Sequence, residues 1–565
     1  MSRTSAVPPQ LKPRFLRGIT ALAVTFLAAV EGSAATIYVD RTNESGVEDG
    51  TLAHPFNTIQ EGINSAAQGD RVQVAPGVYK ETVLMKDGVS LLGSGAQTTT
   101  IDATGLENSV VTFDRTRLSP ILRGFTIKAG RGDLISQSGG VPVYAGGGIL
   151  VLDSSPMIHG NVITQNRITT GYCLGGGIYI RSNSAAPEIT DNVISGNVAQ
   201  SSTVPGSGEG GAVYITTKTG SVALEGNLIE SNQAVRGGAV YVENTSASTV
   251  QIRRNIVRDN GAEQGGAIYS NVIGDSVSTI VNNLILGNGS AVPGARGGGI
   301  VAYASGTGGF SITDNTLVNN GVAAGNGGAL WLDDHLSSTA NSVANNIVAG
   351  NAALHGGGVD YTSFLGEIRN NDWYGNPGGD LYAGGGSGAT LIGNLFSDPS
   401  FVSSANDNYR LLTGSPCIDA AQEAAAPAVD LDGFSRPFDG DGNQNPVSDI
   451  GAYEYPGGEA FGLTFLADGQ SLSWQMLAFQ DGYNLYRGSL ARLRSTGEYT
   501  QNPLVEPMAA HFCDILPSQM PFTDTFEPSP GSCVFYLTTV VIGDWEGPLG
   551  ANAIGLPRPN DHPCP

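Results

Sequence analysis

The chain has 565 residues, among them 80 glycines and 29 prolines, with 40% hydrophobic and 14% charged residues. Glycine at about twice its usual share without a three-residue period excludes collagen, and the hydrophobic content together with a clear internal period excludes general disorder. The formal net charge of −23, from 28 basic and 51 acidic residues, excludes nucleic acids and anionic membranes as natural partners.

Residues 1–35 carry Arg3, Lys12, Arg14 and Arg17, then the apolar run GITALAVTFLAAV, then EGSAA. This is the order of a secretory signal peptide. The run from Gly18 to Val30 is shorter than the roughly 20 residues that cross a bilayer, which disfavours a membrane anchor. The expectation is a secreted or cell-surface protein with no transmembrane domain once the signal is removed.

Residues 36–120 form the entry. Ile59 and Ile63, four apart and followed by Ala66 and Ala67, give TIQEGINSAA the pattern of a short amphipathic helix started by Asn57 or Thr58. Its apolar side is suited to covering the first unit of a stacked structure, whose end otherwise exposes core side chains and strand backbone.

Across residues 121–400 two series alternate. The form Asn-x-apolar-x-x-Asn starts at Asn161, Asn192, Asn227, Asn255, Asn283, Asn315, Asn346 and Asn371, a mean step of about 30 residues. Between its members come GGGIYI, GGAVYI, GGAVYV, GGAIYS, GGGIVA, GGALWL and GGGVDY. Short β-branched runs with Gly and Asn at the bends, and no 3.6-residue stripe, make each unit one coil of a right-handed parallel β-helix. Equivalent positions then lie about 4.8 Å apart, so buried Asn amides form a hydrogen-bonded ladder.

The pattern resembles the pectin-lyase-like superfamily of right-handed β-helices, and the GGAIY and NxxxxN alternation is similar to repeats of bacterial polymorphic outer-membrane proteins and related adhesins. The stretches PFNTIQEGI, GDRVQVAPGVY and VSLLGSG resemble the start of secreted bacterial β-helix proteins. The resemblance implies the fold and no single activity. Lyases of this fold use calcium-bound acidic residues with an Arg or Lys base; no such set aligns here.

Ile178, Val213, Val240, Ile268, Ile300 and Leu330 hold one position and are expected inward. Their successors Tyr179, Tyr214, Tyr241, Tyr269, Val301 and Trp331 then point outward. The aromatic members form a ridge, read either as a platform for a sugar polymer with Arg181, Glu243, Asn271 and Asp333 beside it, or as a self-stabilising stack. Candidate catalytic groups are Asp333 and His335, with Asp360 one unit on; Asp333 and Asp360 come into register only after a one-residue shift. Paired carboxyls at suitable separation divide acid and base roles in glycoside hydrolysis.

Residues 401–456 resemble the closing sequence of secreted bacterial β-helices and are expected over the last coils. Asp430, Asp432, Asp439, Asp441, Asn443 and Asp449 enrich this stretch in oxygen ligands. Asp439, Asp441 and Asn443 take the first, third and fifth places of an acidic loop suited to calcium, but Ile450 at the twelfth contradicts an EF-hand; a turn-rich loop without metal is the other reading. Residues 461–565 lack the repeats and alternate aromatic and β-branched runs with turns, a small antiparallel β-sandwich-like domain resembling a fibronectin-type-III-like module. Three of the five cysteines, Cys513, Cys533 and Cys564, fall here; one disulfide is expected there, its pairing open, with Cys173 a buried free thiol.

No zinc-ligand spacing, GxSxG elbow or Walker lysine is present. The reading that follows is an exported surface or matrix β-helix protein binding a polysaccharide or a cell-surface partner along one coil face. The alternative is a polysaccharide lyase or glycoside hydrolase on the same scaffold.

Overall fold

The computed structural model describes residues 34–564 except 335–340, 363, 385–387, 413, 423–425, 441–444, 456–462, 475–481, 543–544, 547–548, 550–557 and 559. The expected signal peptide therefore lies almost wholly outside the described residues. Among those residues, no helix is long and apolar enough to cross a membrane.

Three parallel sheets, of 13, 11 and 11 strands among the described residues, run the length of the coil stack. One coil reads Val240–Asn244 in sheet C, Thr249–Arg253 in sheet A and Ile256–Arg258 in sheet B, and the next re-enters sheet C at Ile268–Ile273. Each strand pairs in register with its equivalent one coil on, as Val240 does with Val213 and Ile268. The interior is filled by the inward positions of all three sheets. Val240, Ile252 and Val257 of this one coil are fully buried in the same core cluster.

Both asparagines of the repeat build ladders. The backbone N–H and side-chain amide of Asn227 each donate to Oδ1 of Asn255 at 3.0 Å, while the same amide donates to the Ile189 carbonyl at 2.9 Å. The pattern runs from Asn161 to Asn394, and a second column joins Asn166 to Asn376. A buried amide with its oxygen and nitrogen both satisfied ties three coils together, which is why the residue recurs. The residue before each ladder asparagine takes a left-handed backbone: Asp191 (φ 53°), Gly226 (φ 66°), Arg254 (φ 55°) and Asn282 (φ 54°) are four examples. Gly, Asn and Asp at this corner follow from that requirement.

Helix α1, Ile59–Ser65, starts at Thr58, whose side chain and that of Glu61 form a reciprocal cap. Ile59 and Ile63 are buried against the first coil, as the spacing predicts. The other end is different. Among the described residues, the closing segment packs on the late coils, as expected, but along the outer face of sheet B and not across the coil mouth. There Tyr409, Leu431, Ala452 and Tyr453 cluster with Leu228, Ile256, Leu284 and Val318, and Leu411, Cys417 and Ile450 with Ile347 and Ala349. Leu391, in the last coil, stays 47% exposed. The apolar outer residues of sheet B explain the choice, since a flat face extending over several coils buries more surface than the mouth of one coil.

The carboxy-terminal region is antiparallel, with a three-stranded and a four-stranded sheet among the described residues. Its long strand Gly482–Ser489 pairs with both Ala510–Ile515 and Val534–Ile542, and Trp474, Tyr483, Leu485 and Val540 form its core. Helix α2, Leu490–Thr496, follows with Ser489 as its cap. Cys513 and Cys564 are disulfide-bonded, Cys173 and Cys417 are buried thiols, and Cys533 is an exposed thiol.

Candidate functional site on the outer face of sheet C

Alternation along sheet C strands sends Ile178, Val213, Val240 and Ile268 into the core, and Tyr179, Tyr214, Tyr241 and Tyr269 to the outside. In-register pairing places these four rings one above another, with centroids 5.0–5.2 Å apart and planes within 11°. The rings meet face to face and the first three are buried, so their flat sides are occupied by one another and not offered to solvent. Burial pushes the Tyr179 hydroxyl up to about 12. Tyr214 donates to Glu243 at 3.1 Å.

At the next coil the column holds Val301, and the stack is continued from two residues along the strand by Tyr303, whose ring lies 5.5 Å from Tyr269 and 4.9 Å from Trp331. Reading one position per coil missed Tyr303, because the aromatic side chain changes position while the column continues in space. A second column on this face holds Arg181, Thr216, Glu243, Asn271, Tyr303, Asp333 and Thr362, each level with the last in the strand register. All but Asp333 are half-buried, so a strip of polar groups beside the stack remains accessible.

The aromatic column is interrupted by a carboxyl. Asp360 pairs with Trp331 on one side and Tyr382 on the other, and Asp333 pairs with Thr362. Asp333 and Asp360 are therefore offset by two residues on adjoining strands, not by the expected one, and so share the outer face. Strand spacing and rise put their Cα atoms about 8 Å apart on the diagonal. Asp360 is 1% exposed and its Oδ1 has no hydrogen-bond partner; Asp333 is 7% exposed. Burial raises the Asp360 carboxyl above its usual range, against Asn326, His355, Arg296 and Thr362, which favour its charged form.

Of these, Arg296, Asn326 and His355 come from a further column, the position just before each Gly-Gly: Leu174, Glu209, Arg236, Gln264, Arg296, Asn326 and His355 bridge from coil to coil. Several reach a neighbouring coil. Arg236 pairs with Glu209 at 2.7 Å, the Arg296 guanidinium lies 4.9 Å from the Trp331 ring, and the His355 ring stacks on Tyr382 at 4.9 Å. Sequence reasoning passed over Arg296, Asn326 and His355. Their signal was present, as a polar series one residue ahead of a glycine pair, but only the stacking gives it a direction. His335 lies outside the described residues.

Of the expected calcium ligands, Asp441 and Asn443 also lie outside the described residues. Among the described residues, no group of three or more His, Cys, Asp or Glu is placed to hold a metal. The neighbouring acidic residues have other partners: Asp432 takes Arg410 through both oxygens, at 2.7 and 2.8 Å, and Asp430 and Asp449 accept backbone N–H groups.

Residues 135–320 match the family described as right handed beta helix region. No curated protein matches the chain in sequence. Among solved structures, XylC in complex with xylose is 10% identical, with 74% of this chain and 98% of that chain covered and a TM-score of 0.39. Pectate lyase Pel9A is 12% identical, with 75% and 97% covered and a TM-score of 0.38. The GH136 lacto-N-biosidase from Eubacterium ramulus is 11% identical, with 64% and 68% covered and a TM-score of 0.32. Likeness at this level says nothing of chemistry, which rests on the site itself.

Proposed function

We propose that the chain acts on a polysaccharide laid along the outer face of sheet C, and that Asp360 and Asp333 cleave a glycosidic bond there, Asp360 as the acid and Asp333 as the base. One observation carries the reading: a buried, partly unpartnered carboxyl stands where every earlier coil from Leu150 to Trp331 has an aromatic or aliphatic residue. Burying a carboxyl costs free energy that a purely structural repeat would avoid by keeping the aromatic. Burial raises the Asp360 carboxyl and so favours its protonated form, the form that an acid needs to protonate the leaving oxygen. The two side chains share the outer face of adjoining strands, so both can address a single glycosidic bond. Arg296 and His355, both exposed, are placed to orient the sugar hydroxyls or acidic substituents, and Tyr382, 39% exposed, offers an aromatic edge beside Asp360.

Binding without cleavage is the second reading, favoured by the uninterrupted polar strip from Arg181 to Tyr303, which carries no carboxyl pair. Incubation of the purified protein with neutral and acidic polysaccharides separates the two. New reducing ends that disappear in Asp360→Asn support hydrolysis, an unsaturated-uronate absorbance would replace it with elimination, and retention with no products of either kind would leave binding alone.

A further inference from the structure

Arg436 of the closing segment is wholly buried. Its guanidinium reaches Asp314, on the corner of a coil, at 3.2 Å, and Glu454 at 3.1 Å, and donates to the Gly451 carbonyl at 2.8 Å and the Asp449 carbonyl at 3.5 Å. Two more buried carboxyls complete the group. Asp430 accepts N–H bonds from Phe434 at 2.7 Å and Glu454 at 2.8 Å, and Asp449 accepts from Asp419 at 2.8 Å and from Tyr455. Glu454 accepts from Phe438 at 2.8 Å and Asp449 at 3.0 Å.

One cation thus faces four carboxyls in a place without solvent. The charged form of one or two is matched by the guanidinium and the backbone N–H groups; the others are accommodated only with a proton, because uncompensated buried charge is expensive. Asp314 is the clearest. Its Oδ1 takes Arg436 and the Asn345 amide at 3.2 Å, while Oδ2 has no partner. Burial pushes its carboxyl up to about 7, helped by the Glu454 charge and opposed by Arg436, Asn345 and Thr313. Asp430, crowded by burial and by Asp432, and Asp449 and Glu454, crowded by burial and in Asp449 by Glu454 itself, move in the same direction.

The group sits where the closing segment crosses the coils. Around it Gly451 N–H donates to the Asn345 carbonyl at 2.8 Å, Ala452 N–H to Thr316 Oγ1 at 3.0 Å, and Gln422 N–H to Asn345 Oδ1 at 2.9 Å. We infer that the closing segment is a pH-sensitive strap, fastened to sheet B in mildly acidic surroundings and loosened in alkaline ones by the mutual repulsion of carboxylates around Arg436. The sign follows from linkage. A carboxyl raised on folding contributes stability that is fully present below its unfolded value of about 4 and is lost as pH rises through its folded value, here about 7 for Asp314. Ionisation beyond what one guanidinium matches loosens the strap and leaves the coils, held by uncharged asparagine ladders, in place.

Hydrogen exchange of the full chain across pH 5.5–8.5, corrected for the intrinsic rate, tests this. The protection of the Gly451 and Ala452 amides should fall by about tenfold or more across that range, while that of Asn227 and Asn255 holds. In Asp314→Asn, which keeps an oxygen for Arg436 but never ionises, the fall should shrink to about one third of its size or less. Should that variant not fold, Asp430→Asn gives the same comparison, and the wild-type profile decides the matter by itself. Protection of Gly451 and Ala452 that is independent of pH, or that falls in parallel with Asn227 and Asn255, would overturn the strap.

Discussion

Asp360 lies directly across from Trp331 on the adjoining coil, with Tyr382 across from it on the other side. A carboxyl inserted between two aromatic residues has lost most of its hydration, and the nearby Arg296 and His355 only partly restore what water supplied. Burial in this place raises the carboxyl, which is the property that the proposed role requires.

If Asp360 is the acid of a hydrolytic pair, Asp360→Asn lowers kcat by about 100-fold to 10,000-fold with the fold intact, and Asp333→Asn does the same through loss of the base. Activity of the natural protein should decline as pH rises through the raised Asp360 value, since the protonated form is consumed. A rate that is flat across that limb, measured on whichever polysaccharide is cleaved, removes Asp360 from the role.

Asn255→Ala should be among the most damaging single changes. It strips the acceptor from the Asn227 N–H and amide, and the donor from the Leu224 and Arg253 carbonyls at 2.9 and 3.0 Å. Leaving such buried groups unpaired costs about 3 kcal/mol. Urea denaturation followed by circular dichroism measures it; a loss under about 1 kcal/mol would show that water enters the coil and replaces the ladder.

Arg254→Gly should go the other way. Arg254 holds φ 55° with its side chain near Glu225 at 3.8 Å, a loose and partly exposed ion pair. Glycine removes the Cβ strain of the left-handed corner, for a gain of up to about 1 kcal/mol. A thermal midpoint that falls would mean that the Glu225 contact outweighs the strain.

The tyrosine stack and the polar strip beside it separate in the same kind of experiment. Tyr241→Ala opens a hole between the Tyr214 and Tyr269 rings and should destabilise by about 3 kcal/mol. Thr216→Ala and Asn271→Ala, on half-buried side chains of the strip, should leave stability nearly unchanged and reduce retention on an immobilised polysaccharide. Retention unaffected by both but lost in Tyr303→Ala would move the contact to the end of the face that holds Asp333 and Asp360.

Much of this was legible in the chain. Asn161 to Asn371 spaced about 30 apart, with a glycine pair between successive members, specify coils, because only stacking gives one buried amide two partners outside its own unit. The inward face of sheet C and the cap at Ile59 and Ile63 follow from periods of two and four. What the spacing did not carry was lateral placement. Tyr303 stands two residues from the expected place, Arg296, Asn326 and His355 act across to the next coil, and Asp333 and Asp360 share a face through an offset that depends on where each strand begins. The path of the closing segment was hidden for a similar reason: Leu228, Ile256 and Leu284 read as ordinary strand residues until the sheet shows them facing outward together.

The asparagine ladder also makes the molecule a ruler. Eight steps from Asn161 to Asn394 advance by a common increment of about 4.8 Å, whatever the length of chain looped out between them. Groups on the outer face are therefore separated by whole multiples of that increment. If a polysaccharide lies along this face, as proposed, one whose own repeat does not match that increment drifts out of phase within a few sugars, and chain periodicity then discriminates before any single side chain makes a choice.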